Sequence, residues 1–298
     1  MADKVSASGG KFNDIPCTLR IKSRYPSLRN SEKKAADHIL NHPETVIKLT
    51  LQDVSAIAGI SEASVLRFCR KLGYQGFSDF KLKLALEEGE RGAAGPARLY
   101  KVQVSRDDRL CDIPKKVVAS TVNALEDTLR VFDLDEYKRA LHALEKTACI
   151  DFYAIANSAV VADDALNKWI KLGKRCHVFT DPHLQIMSAL SLKEGDVAVG
   201  ISHSGRTKET VDALKAAHKA GAVTICITNH EASEITEAAD IKLLTSGYET
   251  EFFSETMVSR ISQLAIIDML YMGLILLDYD SAVQKIRNLN EALAEKAY

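Results

Sequence analysis

Several features that would have narrowed the function of this 298-residue chain are missing from it. The first fifteen residues contain no apolar h-region, so no secretory signal is expected. The longest greasy stretch, Leu264 to Leu277, carries Asp268 and is shorter than the roughly 20 residues a membrane span needs, which predicts a buried core helix instead. The six cysteines (17, 69, 111, 149, 176 and 226) include no C-x-x-C pair. That leaves no zinc site visible from spacing, and it predicts reduced thiols, mostly small core residues, in a cytoplasmic protein. No internal repeat or low-complexity segment stands out, and no cofactor motif is recognised. Net charge is −1, with neither sign in excess over the whole chain.

The charge is unevenly divided. Residues 1–86 hold 14 Lys+Arg and 8 Asp+Glu, a balance of +6, while the remainder holds 25 and 32, a balance of −7. A basic first part joined to an acidic second part implies an anionic polymer as partner of the first. The patterning divides at the same place. Residues 1–15 are polar and read as a mobile tail. Short helices are expected over Pro16–Tyr25, Asn30–Asn41 (Ser31 capping, Pro43 stopping), Thr50–Ala58, Ser61–Leu72 and Phe77–Leu86. Glu87–Pro96, with three glycines and a proline, breaks the apolar periodicity and reads as the start of a linker running to about residue 112. Pro114–Val131 is a further helix. Five β-branched runs follow, at 149–155, 175–180, 196–201, 222–228 and 239–245, separated by helices. The fold class expected is therefore an all-α domain over 16–88, then an α/β three-layer domain over 113–298 with a mainly parallel five-stranded sheet.

Within the basic part, Thr50–Leu72 fits a helix-turn-helix. Val54, Ile57 and Ala58 are the inward positions of the first helix, Gly59 makes the turn, and Ser61 caps the second helix, which buries Val65, Phe68 and Leu72. That assignment leaves Glu62, Ala63, Ser64, Arg67, Arg70 and Lys71 toward solvent or a DNA groove. Arg67 has the fork that reads a guanine edge or grips a phosphate. Ala63 and Ser64 permit close approach, and Arg70, Lys71, Lys81 and Lys83 are phosphate contacts by type. A plain αα-hairpin is the competing reading of the same spacing.

The most informative segment is DVAVGISHSGRTKET, Asp196–Thr210. An apolar strand runs straight into Ser202, His203, Ser204, Gly205 and Thr207, and a helix begins at Lys208. Helix N-termini offer unpaired N–H groups and the positive end of the dipole, so three hydroxyls and a glycine there make a phosphate cradle. An ordinary serine-capped turn is the alternative. Asn157 and Ser158 follow the first strand and are further ligand candidates, with helix capping as the rival role for Ser158. Asp181 and His183 follow the second strand, where Asp181 reads as a cap and His183 as a pocket residue. His203 has the chemistry to meet sugar hydroxyls, and Glu249, Glu251 and Glu255 offer carboxylates. Trp169 has core spacing.

Two resemblances rest on these residues. ISHSGRTKET, with Ala222–Asn229, Ala239–Thr245 and Ser259–Tyr271, is similar to the sugar isomerase (SIS) domain that binds phosphosugars. SVLRFCRKLGYQGFSDFK, Ser64–Lys81, resembles the signature of RpiR-type transcriptional regulators, which join a helix-turn-helix to an SIS domain. The resemblance implies a regulator without catalytic residues that binds a duplex DNA operator as a homodimer or homotetramer. It implies a small phosphosugar effector bound in the SIS domain, which modulates DNA affinity. A sugar-phosphate isomerase with an accessory helical domain is the alternative. One departure stands out: the family tends toward G-x-G-x-S after the first strand, and this chain has Ala154-Ile155-Ala156-Asn157-Ser158.

Overall fold

The computed structural model describes residues 15–93, 108–246 and 256–294. The tail, most of the linker, and Glu249, Glu251 and Glu255 lie outside those residues. The chain divides into two compact units, Met1–Gly95 and Pro96–Tyr298.

The first unit is helical: α1 (Cys17–Arg24), α2 (Asn30–Asn41), α3 (Pro43–Val46), α4 (Leu51–Ala58), α5 (Glu62–Lys71) and α6 (Phe77–Ala93). Its core gathers Ile21, Ala36, Ile39, Val54, Val65, Phe68, Phe80 and Leu84. One expectation is refined here and two are corrected. Pro43 does stop α2, but it does so by opening α3, where its ring occupies a first-turn position that needs no N–H. Ile57 is 56% exposed. The buried stripe of α4 is carried by Val54 and Ser55, with Leu51 and Ala58 half-buried between them in angle at the two ends of the helix, and at about 100° per residue Ile57 falls about 60° outside it. The helix expected to end at Leu86 continues to Ala93. At the start of the extension the Glu87 carboxylate accepts the Thr18 amide at 3.2 Å and the Thr18 hydroxyl. Glu87 thereby caps the first turn of α1 from 69 residues away.

The second unit is a three-layer α/β sandwich. Helices α7 (Ile113–Val131) and α8 (Leu134–Lys146) precede β1 (Cys149–Ala154). Then come α9 (Ala159–Lys171), β2 (Arg175–Phe179), α10 (Pro182–Ser191), β3 (Val197–Ile201), α11 (Lys208–Lys219), β4 (Val223–Thr228), α12 (Glu234–Ala238) and β5 (Ile241–Leu244). Helices α13 (Thr256–Leu277) and α14 (Tyr279–Ala294) close the chain. All four pairings are parallel and the order is β2-β1-β3-β4-β5. A parallel sheet buries both faces, which is why its strands read as continuous apolar runs. Ile150, Phe152 and Val199 meet α8, α9 and α13 on one face. Tyr153, Ala198 and Cys226 meet α10, α11 and α12 on the other. Trp169 is fully buried, edge-on to Phe152 at 5.9 Å. Helix α13, 22 residues long, is long and apolar enough to cross a membrane by composition. It turns Ile266, Ile267 and Leu270 into the core and leaves Met272 and Leu276 exposed.

The chain runs from β1 outward to β2 on one side and returns to β3 on the other. The strand order therefore reverses between β1 and β3. In open α/β sheets the crevice at such a point, beyond the carboxyl ends of the strands, is where ligands bind. The loops 155–158 and 202–207 both start there.

Candidate functional site

In the helical unit, Thr50 caps α4 through a reciprocal box with Asp53. Gly59, at φ +62° and ψ 41°, ends the helix. The Ile60 amide reaches the Ser55 carbonyl at 3.0 Å, closing the C-terminal turn. Ser61 then accepts from the Ser64 amide at 3.3 Å and starts α5. Ala63, Arg67 and Arg70 are exposed on α5, and Ser61 is exposed at its cap.

Two residues expected on that surface stand differently. Ser64 is 6% exposed, and its hydroxyl lies 3.0 Å from that of Ser61 and accepts from Arg67 Nη2 at 2.9 Å. It anchors Arg67 and completes the cap, and is not open to a groove. Lys71 donates to the Ser27 carbonyl and to Glu32 at 3.2 Å, so its ammonium ties α5 to α2. Lys81 likewise donates to the Leu49 carbonyl at 2.9 Å. Sequence reading also missed the arginines of α1. Arg24 donates to the Lys71 carbonyl at 2.8 Å. Arg20, buried under the Tyr74 ring, donates to the Leu72 carbonyl at 3.4 Å. Together they satisfy the carbonyl end of α5, as cations do at a helix C-terminus. Four of the basic residues behind the +6 balance are thus bonded within the unit.

In the sheet unit, the Ser202 amide still pairs with Ile227 at 3.1 Å, so the loop leaves β3 in register with β4. Gly205 has φ +65°. A Cβ built there would lie 2.3 Å from Ser233 Oγ, 2.6 Å from Ser233 Cβ and 3.0 Å from Thr228 Oγ1, so only glycine fits. The Gly205 carbonyl accepts from Ile235 at 2.9 Å, and the His203 carbonyl from Thr228 Oγ1 and the Asn229 amide, both at 3.1 Å. These bonds seat the loop on a polar wall after β4, Thr228 to Ser233, that sequence reading left out. Ser202 is buried, its hydroxyl 2.9 Å from that of Thr207, while Ser204 and Thr207 are partly exposed. His203 is 9% exposed and packs edge-on to His230 at 5.8 Å, which places it inside the wall and not toward solvent. Arg206 stands exposed at the rim, 3.4 Å from Glu234.

The starts of the helices differ in a telling way. Asp133 caps α8, and Asp181 caps α10 by accepting the His183 and Leu184 amides. At α11 the residue in capping position is Thr207, whose hydroxyl is turned to Ser202, and no side chain caps the helix. Nor does Ser158 cap α9 with its side chain. The two helices that flank the strand-order reversal both start without a side-chain cap, as α7 also does. Asn157 is exposed and Ser158 half-exposed in a 3-10 turn, Ala156–Ser158, and Ala156 has φ +53°. His183 is exposed on α10, whose strand β2 lies one place outward from β1.

The fold and this loop define a class: a helix-turn-helix unit followed by an SIS-type sandwich. Comparison with known proteins agrees. The rpiR-family helix-turn-helix domain matches residues 16–90 and the SIS domain residues 143–273. The chain is 37% identical over 283 residues to an uncharacterized HTH-type transcriptional regulator of Caldanaerobacter subterraneus, covering 95% of this chain and 98% of that one. It is 36% identical over 254 residues to the "bifunctional protein glk" of Paraburkholderia xenovorans, covering 85% of this chain and 39% of that one. The solved structure of Vibrio vulnificus NanR complexed with ManNAc-6P shares the fold, with a TM-score of 0.60 over 94% of this chain and 99% of that one at 24% identity. The chain belongs to the rpiR family of helix-turn-helix transcriptional regulators that carry an SIS domain.

Proposed function

We propose that the regulator binds operator DNA through α5 and that a phosphorylated sugar, bound at the carboxyl edge of the sheet, modulates its DNA affinity. The observation that carries the effector site is the pair of helix starts, at α9 and α11, whose amides no side chain caps, beside a loop that only glycine permits. Such a helix N-terminus is a phosphate site by construction. The Lys208 and Glu209 amides with Ser204 and Thr207 hold the phosphate, Arg206 adds charge at the rim, and Asn157, Ser158 and His183 face the sugar. His203 and Ser202 act from behind, by holding the loop. On the DNA side Arg67 reads a base, Arg70 grips the backbone, and Ser61 and Ala63 admit the groove. The protein acts in the cytoplasm as a symmetric dimer or tetramer, a geometry that presents two recognition helices to a two-fold operator. The exposed apolar residues Val118 and Val122 of α7 and Met272 and Leu276 of α13 are the contact surface.

Calorimetry with ManNAc-6P and other phosphosugars, each beside its dephosphorylated form, tests the site. One phosphosugar is expected to bind and its free sugar to fail. Ser204→Ala is expected to cost about 1.5–3 kcal/mol, the worth of a hydrogen bond to a charged group. Equal binding of the free sugar contradicts the reading. Turnover in a coupled isomerase assay, with DNA affinity unmoved by ligand, would favour an enzyme.

A further inference from the structure

The amino end of the sheet carries a second cluster, away from the phosphate loop. Cys149 and Asp151 are two residues apart on β1 and project from the same face, and Asp151 stands in register with His177 on the edge strand β2. Cys149 Sγ lies 3.7 Å from Asp151 Oδ1 and 3.8 Å from His177 Nδ1, and that nitrogen lies 2.9 Å from Asp151 Oδ1. A thiol, a carboxylate and an imidazole thus stand at the corners of one triangle, all within 4.8 Å.

The triangle has the size of a zinc site. Tetrahedral bonds of about 2.3 Å to sulfur and about 2.0–2.1 Å to nitrogen or oxygen set the sulfur edges at about 3.5 Å and the N···O edge at about 3.3 Å. The two sulfur edges match to within about 0.3 Å. The N···O edge is drawn shorter by the hydrogen bond that a cation would replace. We propose that Cys149, Asp151 and His177 bind one divalent cation of zinc's class, with the fourth position open to water.

Two further features fit. Asp151 is only 3% exposed, and its second oxygen accepts from Ser188 of α10, whose hydroxyl lies 3.3 Å from that of Tyr153. A ligating carboxylate fixed by an outer hydrogen bond is the usual support of a metal centre. The His177 side chain is 56% exposed, so the cation reaches the site without opening the core. A thiol with an imidazole selects a borderline metal over calcium or magnesium, which take oxygen ligands. Bound there, the cation staples the edge strand β2 to β1. No spacing motif shows this site, because its ligands come from two strands.

The rival account is an Asp–His ion pair with a bystander cysteine, and the sulfur separates the two. The full chain, stripped with a chelator, is titrated with Co²⁺ and then Zn²⁺. One equivalent of Co²⁺ is expected to give a thiolate-to-metal charge-transfer band with tetrahedral visible bands. Zn²⁺ is expected to bleach them and raise the melting temperature. His177→Ala, at the exposed corner, should weaken binding at least about tenfold with the fold intact, and Ser188→Ala by about 10- to 100-fold. Cys149→Ser should remove the charge-transfer band, and Cys111→Ser, at an exposed cysteine, should change nothing. Absence of a thiolate band in the full chain, or the same band and affinity in the His177→Ala chain, overturns the site.

Discussion

Gly59 and Gly205 share a left-handed backbone, φ +62° and +65°, yet a methyl group would meet different surroundings at each. Nothing lies within 4 Å of a Cβ at Gly59, whereas at Gly205 it would collide with Ser233. Gly59→Ala should therefore cost only the backbone penalty, about 1–2 kcal/mol, read as lower thermal stability of the helical unit. Gly205→Ala should abolish phosphosugar binding while leaving operator binding in the absence of ligand unchanged. Ser233→Ala should not rescue it, because Ser233 Cβ itself lies 2.6 Å from the added carbon. Ala156 is the converse case, a residue with a Cβ held at φ +53° where the G-x-G-x-S pattern implied by the resemblance would place a glycine. Ala156→Gly should stabilise the sheet unit by about 0.5–1 kcal/mol in chemical denaturation, the relief of strain exceeding the added chain entropy. Destabilisation by that change would show that the methyl makes packing contacts that outweigh its strain. The substitution at Ala156 was legible in the sequence. Its strained backbone was not, since no local pattern reports φ.

Helix α5 shows how far periodicity reaches at the scale of an element. Its cap, its buried Val65, Phe68 and Leu72, and its exposed Arg67 and Arg70 all follow from spacing alone. Ser64 and Lys71 do not: the Ser64 hydroxyl is taken by Ser61 and Arg67, three residues to either side, and the partners of Lys71 are set by packing, Ser27 and Glu32, 44 and 39 residues away. The same limit applies to Glu87, whose hydrogen bonds reach Thr18, 69 residues away. These positions separate by their dependence on salt. Arg70→Ala should weaken all DNA alike and lower the salt slope by about 1, while Arg67→Ala should cost about 1–3 kcal/mol on the operator and blur preference at one base pair. Lys71→Met should leave the salt slope as it is and lower the stability of the helical unit, its charge being spent on Glu32. A salt slope reduced by Lys71→Met as much as by Arg70→Ala would return Lys71 to the DNA surface. The five strands and their parallel sense were likewise readable from β-branched runs alternating with helices, though not the order in which they pair. The polar wall from Thr228 to Ser233 was not, because its role comes from what it touches across the sheet edge.

On the proposed reading, the two units of the molecule divide the chemistry of anions between them. One offers exposed arginines on a capped recognition helix to a polymer. The other offers uncapped helix starts to a single phosphate. Regulation requires that the two be coupled, and linkage makes the coupling reciprocal. If ligand changes operator affinity by some factor, operator changes ligand affinity by the same factor, commonly a free energy of about 1–3 kcal/mol. The direct measurement is operator titration by fluorescence anisotropy at fixed salt, without and with saturating phosphosugar, for the full chain and for Gly205→Ala. The account predicts a shift of about 5- to 150-fold in the full chain and none in Gly205→Ala, both chains starting from the same affinity. Operator curves that coincide with and without a phosphosugar shown by calorimetry to be bound would contradict it.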